Sequence, residues 1–527
     1  MISRLRNIKQ LGVTPYVWPS ATHSRFEHSL GVAFLARVLA TQLKDHDPTL
    51  NITHRDVDCV EIAGLCHDLG HGPWSHVWDG QFIPTALPRL KKPWSHEVGS
   101  EMMFDYLVEE NQIDIPLEDQ RFVKALIAGD KSRTEVSFSP GEKPFLFEIV
   151  ANKRNGLDVD KFDYIYRDSR MMGEPIHFAL ERILKSARVR ENQICYDIKD
   201  ANTLYEICAT RFKLHKLFYN HKVARAIEYM IVDALTAAEP QMKIAERIFN
   251  RERYLFLTDD ILTQIESSTT PELEEARGII WRIRTRDLYK CVDYKNIEWN
   301  NPIRLRLHEH ITEQAIVDAI PSTLLQSYPH TERPTVDDVR VDISTMHFGM
   351  KEKNPLDQVK FYSKSKPDEC ASAGPGDYSC VMPPYFAEVL LRIYTKNPKF
   401  FGLVQAGYRV VMSDLAMRFQ TDAEESILLP DIEVNRAEDG MAPTPPETEA
   451  PSTPKATSRD SSFTHRKSAS GSTPYSENSF TTVAPDFVPP SPLGTVNRKL
   501  KNTNKRERDH SLDMPGQAEG SSNKKRK

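Results

Sequence analysis

Cysteine is scarce in this chain and follows no pattern. Seven cysteines in 527 residues stand at 59, 66, 195, 208, 291, 370 and 380, an odd number without a CxxC pair. That excludes a disulfide framework and a zinc ribbon and points to a reducing compartment. No run of 18 apolar residues occurs, so no membrane span is expected. The opening MISRLRNIKQLG lacks the apolar stretch of a secretory signal. Neither a GxGxxG fingerprint nor a P-loop is present, and no alternating βα pattern supports a dinucleotide-binding sheet. Neither sign of charge dominates: 69 Lys and Arg face 74 Asp and Glu, a net charge of −5. Such a balance argues against a protein that coats nucleic acid with its whole surface.

The length allows two or three domains, at least one with a sizeable core. Ahead of residue 435 the chain is mostly helical by pattern. SRFEHSLGVAFLARVLATQL places Phe26, Leu30, Phe34 and Val38 at helical spacing, and RDVDCVEIAGLCHDLG repeats the period before stopping at Gly70. Residues 94–110, 144–170, 200–236 and 240–290 also read as helices. From about 336 the period changes to alternation: VRVDISTMHF and DQVKFYSK read as strands around a KEKNP turn. PPYFAEVLLRIYTK then reads as a return to helix. Beyond 435 the composition shifts. Eleven of the 35 prolines lie past residue 440, mixed with Ser, Thr and Glu, a segment too polar to offset its ordering entropy. The expectation is a mainly α protein: a helical core over 1–235, a smaller helical and α+β lobe over 236–435, and a disordered tail over 436–527. Two basic clusters in the tail, VNRKLKNTNKRER and NKKRK, suggest a nuclear localisation signal or a weak contact with single-stranded nucleic acid.

Histidine is unevenly distributed, with eight of 17 in the first 96 residues. AGLCHDLGHGPWSH, residues 63–76, holds three histidines and an aspartate around a Gly/Pro bend. A lone histidine on a helix is usually structural, so the weight rests on the group. His67 and Asp68 close a helix about 100° apart around its axis, where both can reach one ion off its end. Imidazole with carboxylate suits Fe, Mn, Zn or Ni better than a soft thiolate site does. Asp160, Tyr164 and Asp168 form one i, i+4, i+8 stripe, and Arg211, His215 and Tyr219 another. A buried stripe is ordinarily Leu and Val, so these face water or a ligand.

His28 in RFEHSLGV, the doublet His67-Asp68, and Asp160 in NGLDVDKFDYIYRD together resemble the H…HD…D signature of HD-domain phosphohydrolases. RLRNIKQLG, IAGLCHDLGHGPWSHVWDGQFIP, SHEVGSEMMF and MHFGMKEKNPLDQVKFY narrow the resemblance to the SAM and HD domain-containing deoxynucleoside triphosphate triphosphohydrolases, over roughly residues 4 to 400. The resemblance implies an HD core with a divalent metal (Fe, Mn, Zn or Mg) on His28, His67, Asp68 and Asp160. It also implies attack of water on the α-phosphorus of a dNTP, yielding deoxynucleoside and inorganic triphosphate. His76 is then the candidate proton donor, tuned and oriented by His71, Asp79 and His96.

By the same resemblance Arg25, Lys161 and Arg211 hold the phosphates, Tyr164 stands at the sugar, and His215 is a further substrate-binding candidate. Gln10 and Asp168 contact the 3′-hydroxyl, and Leu11 and Tyr219 crowd the 2′ edge. Asn220 stands where the family has Gln. The family's tetramer is assembled by GTP and dNTP activators, and Arg6, Arg182, Lys199, His221 and Lys222, with Val17 and Trp18, match its activator positions. Asp197 and Leu217 replace arginines of that set. The chain opens inside the family pattern, without a SAM domain or the strand whose acidic residue selects guanine, so a less complete regulatory than catalytic set is expected. Two other readings stand beside the enzyme: an HD-domain nucleotide or nucleic-acid binding protein with little turnover, and an HD phosphohydrolase acting on cyclic or ribonucleotides.

Overall fold

A computed structural model describes residues 1–130, 143–176 and 178–428; the tail expected over 436–527 lies outside them. The described residues belong to one compact unit, Met1–Val434. Helix α1 (Arg25–His46) begins at a reciprocal capping box between Ser24 and Glu27, and α2 (His54–Cys66) at one between Thr53 and Asp56. Each box satisfies orphan N–H groups of the first turn and so sets where the helix begins. α3 (His96–Glu110) starts on Ser95. It is followed by α4 (Leu117–Ala128) and by α5 (Val159–Met171), whose N-cap Asp158 accepts the Lys161 N–H at 3.0 Å. These caps put His28, His96 and Asp160 in or just past a first helical turn. α6 (Ala201–Leu214), α7 (Lys222–Met242) and α8 (Glu274–Arg284) complete the helical body. α7 carries the chain across position 235, where the sequence reading divides core from lobe.

Several expected helices are shorter than their periodicity suggested. The stretch 144–170 is a turn at Pro144–Glu148, a loop, and then α5. In the loop the Asn152 side chain accepts the N–H groups of Arg154 and Asn155 at 3.0 and 3.2 Å, and Gly156 takes φ +74°. Such side-chain bonds offer the backbone an alternative to helix. The stretch 200–236 breaks at a π-turn, His215–Tyr219, followed by Asn220. On α1 the stripe Phe26, Leu30, Phe34 and Val38 does not form the buried face, since Leu30 and Phe34 are exposed. Val32, Ala36, Leu39 and Leu43 are buried instead.

Seven strands are described: β1 (Arg188–Arg190), β2 (Gln193–Asp197), β3 (Lys290–Glu298), β4 (Val339–His347), β5 (Lys360–Ser363), β6 (Lys366–Ser372) and β7 (Ala387–Thr395). They form two sheets of order β1-β2-β5-β6 and β3-β7-β4. β4 and β5 are the expected strands, although burial does not alternate along either, whereas β7 corrects the helix expected over PPYFAEVLLRIYTK. β7 is the central strand of its sheet, antiparallel to both neighbours. Nearly all of it is buried, and a short apolar run buried on both faces carries no period to distinguish strand from helix. Helix α9 (Phe401–Leu428) packs Leu403, Val404 and Tyr408 with Val389, Leu391 and Ile393 of β7 in a second apolar core. The fold is thus mainly α, with a smaller sheet-containing C-terminal part. No helix among the described residues is long and apolar enough to cross a membrane.

Candidate metal centre and substrate pocket

Three helices bring the four expected ligands together. His28 comes from the first turn of α1, His67 and Asp68 follow the last turn of α2, and Asp160 sits in the first turn of α5. His28 Nε2 lies 3.0 Å from Asp160 Oδ1 and 3.6 Å from Asp68 Oδ2. His67 Nε2 lies 3.4 Å from Asp68 Oδ1 and 3.5 Å from Asp160 Oδ1. The donor atoms of His28, His67 and Asp68 all fall within 4.8 Å of one another. His67 Nδ1 bonds the Gly64 carbonyl at 2.8 Å, which leaves Nε2 as the acceptor nitrogen. That Nε2 is buried and has no hydrogen-bond partner, a costly state for a polar atom unless something binds it. Two imidazole nitrogens and two carboxylates are a donor set for a borderline divalent cation, so the residues fit the metal. Burial opposes charge on Asp68, yet the Arg25 guanidinium, with Nη1 2.5 Å from Oδ2, and the His67 and His71 rings hold its carboxyl well below the usual range.

Beside this group lies a second cluster. The His71 and His96 rings stack at 4.0 Å, and His76 meets both edge-on at 5.1 and 5.3 Å. His96 Nδ1 is 2.6 Å from Asp79 Oδ2, while His76 Nδ1 is 3.7 Å from Asp79 Oδ1. Burial, then the Arg25 and His96 charges, keep His71 neutral, its pKa well below the ordinary value. The loop carrying these rings is bent hard: Trp74 and Ser75 both adopt positive φ, at 54° and 58°. Strain of this kind in residues other than glycine persists where surrounding bonds over-determine it. Here Ser75 Oγ donates to the Lys9 carbonyl and accepts from Arg25 Nε, at 2.7 and 2.9 Å.

The two clusters open into a cavity of about 380 Å³. Its wall includes Gln10, Leu11, Arg25, Asp160, Tyr164 and Asp168, together with Arg211, His215, Tyr219 and Asn220. His71, His76 and His96 also line it, so nearly all the expected substrate residues meet there. Lys161 and Asp79 are absent from that wall. Lys161 Nζ pairs with Asp158 at 2.9 Å, and Asp79 stands behind the histidines. The π-turn keeps His215 and Tyr219 in ring contact at 4.8 Å and turns the Tyr219 hydroxyl onto Asp168, to which it donates at 2.6 Å. The Asn220 amide bonds back to the His215 carbonyl at 2.9 Å and so closes its own turn. None of the seven expected activator residues lines the cavity. Trp18 packs edge-on against His221 at 4.8 Å, Arg6 covers the Phe26 ring at 3.6 Å, and Arg182 pairs with Asp200 at 2.7 Å.

Sequence reasoning missed several members of the site. His23 Nε2 lies 2.7 Å from Asp168 Oδ1, so both Asp168 oxygens are engaged. The His347 carbonyl, at the end of β4, accepts from Arg211 Nη1 at 2.7 Å. Arg225 and Glu228 extend the cavity wall along α7. The surplus of histidine before residue 96 was the one signal that could have raised His23; nothing local marked the others.

A helical core holding a His/His/Asp/Asp centre at the mouth of three helices defines an HD-domain protein, and residues 25–131 match the HD domain family. Residues 178–347 match the HD associated region. The chain is 40% identical over 459 residues to the deoxynucleoside triphosphate triphosphohydrolase SAMHD1 of Danio rerio, covering 81% of this chain and 72% of that protein. It is 42% identical to SAMHD1 of Homo sapiens over 75% of this chain and 66% of that protein. The SAMHD1 homolog of Dictyostelium discoideum is 36% identical over 78% and 76%. The chain belongs to the SAMHD1 family of HD-domain deoxynucleoside triphosphate triphosphohydrolases.

Proposed function

We propose that this chain hydrolyses deoxynucleoside triphosphates, dGTP among them, to the deoxynucleoside and inorganic triphosphate. The observation carrying this reading is the convergence of His28, His67, Asp68 and Asp160, of which the two aspartates line a cavity that also presents Arg25, Arg211 and a histidine cluster. A divalent ion held by those four residues supplies Lewis acidity toward a phosphate oxygen and lowers the pKa of water. Arg25 and Arg211 neutralise the triphosphate. In the balanced reaction water adds to the α-phosphorus, the bond to the 5′-oxygen breaks, and that oxygen takes a proton. His76 is placed to give it, with Asp79 bridging His76 and His96. Tyr219 and Leu11 set apolar and aromatic atoms where a 2′-hydroxyl would stand, while Gln10 and Asp168 face the 3′ side. Lys161 reaches phosphate in this scheme by releasing Asp158.

Activation by GTP and dNTP, assembly into a homo-tetramer and nuclear residence belong to the same proposal. Their supports are the basic positions Lys199, His221 and Lys222 with Val17 and Trp18, and the basic clusters of the tail. The test is incubation of the purified chain with dGTP, alone and with GTP, in Mn²⁺ or Mg²⁺, with products resolved by chromatography. Deoxyguanosine and triphosphate are expected from the wild type and none from folded Asp68→Ala. Retained turnover in Asp68→Ala sinks the metal assignment; no product from the wild type under any of these conditions sinks the activity.

A further inference from the structure

The two histidines of the candidate centre have unlike partners behind them. His67 Nδ1 bonds a backbone carbonyl, that of Gly64, at 2.8 Å. His28 Nδ1 lies 2.8 Å from a carboxylate, Asp163 Oδ2. Asp163 is itself buried and is clamped through both oxygens by Arg167, with Nε to Oδ2 and Nη2 to Oδ1 each at 2.8 Å. The packing is built around this pair. α1 passes it at Gly31, where an added Cβ would lie 2.7 Å from Asp163 Cγ and closer still to Oδ1. One turn of α1 therefore presents His28 and, three residues on, the gap that admits the carboxylate serving it.

We infer that Asp163, oriented by Arg167 and admitted by Gly31, is a positioning residue of the metal centre. It holds the His28 ring with Nδ1 protonated and Nε2 turned to the ion, and it strengthens that nitrogen as a donor. The inference rests on the metal-centre reading above. A carboxylate behind a ligating imidazole fixes the tautomer and ring angle and raises ligand basicity, so its loss typically weakens metal binding roughly 10- to 100-fold. His67, backed only by a peptide carbonyl, gains the orientation without the negative charge. His28 is then the stronger of the two imidazole ligands and the one whose disturbance costs most affinity. In the alternative, Asp163 and Arg167 only tie α1 to α5, and metal affinity is indifferent to them once the protein is folded.

The experiment strips the full chain with a chelator and titrates it with Mn²⁺, following free ion by electron paramagnetic resonance and fold by circular dichroism. Asp163→Asn keeps an acceptor for His28 but removes the charge, and it is expected to weaken Mn²⁺ binding about ten-fold. Gly31→Ala leaves every ligand and Asp163 itself chemically intact and is expected to weaken binding in the same direction. Arg167→Gln keeps the Asp163–His28 bond and is expected to stay within about two-fold of wild type, the smaller effect of a group one step further from the ion. Wild-type affinity in folded Asp163→Asn overturns the inference, as does an equal loss in Asp163→Asn and Arg167→Gln. If Asp163→Asn does not accumulate folded, Asp163→Glu reads the same contact through the visible bands of the Co²⁺ form: a shift supports the role and unchanged bands overturn it. Asp68→Ala is the reference for the centre itself. Wild-type Mn²⁺ binding there removes the metal reading rather than the role of Asp163.

Discussion

Asp79 accepts from both the ring and the backbone N–H of His96, at 2.6 and 3.2 Å. Burial pushes the His96 pKa down, but the Asp79 hydrogen bond and charge outweigh it and raise the pKa above its ordinary value. Burial likewise opposes charge on Asp79, and the bonds from His76 and His96 hold its carboxyl far below the usual range. A histidine raised in this way keeps its proton to higher pH, so it sustains positive charge in the cavity wall after a free imidazole would have lost it. Asp79→Asn removes the carboxylate charge and lets burial dominate. The alkaline limb of the kcat/KM profile is therefore expected to move to lower pH in Asp79→Asn. An unmoved limb in an active variant excludes the Asp79–His96 pair from the rate-limiting proton balance.

At this scale His67 and Asp68 were legible because adjacent imidazole and carboxylate at a helix end have few structural uses, whereas His28 and Asp160 came only from the family resemblance. Asp163 and His23 were not legible, since each acquires its role only when another helix brings a partner to it. Lys161 was placed on phosphate only by the resemblance, and in this structure its Nζ bonds its own helix cap, Asp158, at 2.9 Å.

Among the elements, caps set where the site helices begin. Ser24, Ser95 and Asp158 each open a helix that bears a site residue, and Thr53 opens the one that runs out at His67 and Asp68. β7 was not readable from its period, and it bonds to the cavity wall. Arg392 on β7 lies 2.5 Å from Asp342 on β4 through Nη2, Arg225 of α7 bonds the other Asp342 oxygen at 2.9 Å, and Arg392 also donates to the Asn220 carbonyl. Asp342 and Arg392 are buried. Burial raises the Asp342 carboxyl, and the two guanidinium charges more than reverse that.

Asp342→Ala leaves two cations facing each other with one buried, a change expected to cost about 3–5 kcal/mol of stability. It should lower the thermal midpoint in calorimetry. Because Arg225 and Asn220 line the cavity, the same variant should raise KM for dGTP more than it lowers kcat. A variant as stable as wild type contradicts the network's role. A loss of stability with KM unchanged separates the network from the cavity wall.

For the whole molecule, the division of labour follows from where the chemistry sits in the chain. Every candidate metal ligand lies between His28 and Asp160, and the cavity wall is complete by Glu228. The residues past 435 hold the basic clusters NRKLKNTNKRER and NKKRK. A protein with net charge −5 offers anionic polymers little elsewhere, so contact with single-stranded nucleic acid should be concentrated in those clusters. Each phosphate neutralised releases counterions, and log K falls with log salt by roughly 0.7 per phosphate for single strands. Removal of 436–527 is therefore expected to flatten the salt dependence of oligonucleotide binding and to abolish nuclear accumulation of a fluorescent fusion. The rate of dGTP hydrolysis should stay within about two-fold, because the candidate ligands and the cavity residues named above all lie ahead of residue 435. A large fall in rate would place the tail at the active site or at an assembly contact. An undiminished salt slope would move the nucleic-acid surface onto the folded body, where the Lys199, His221 and Lys222 positions become the next to change.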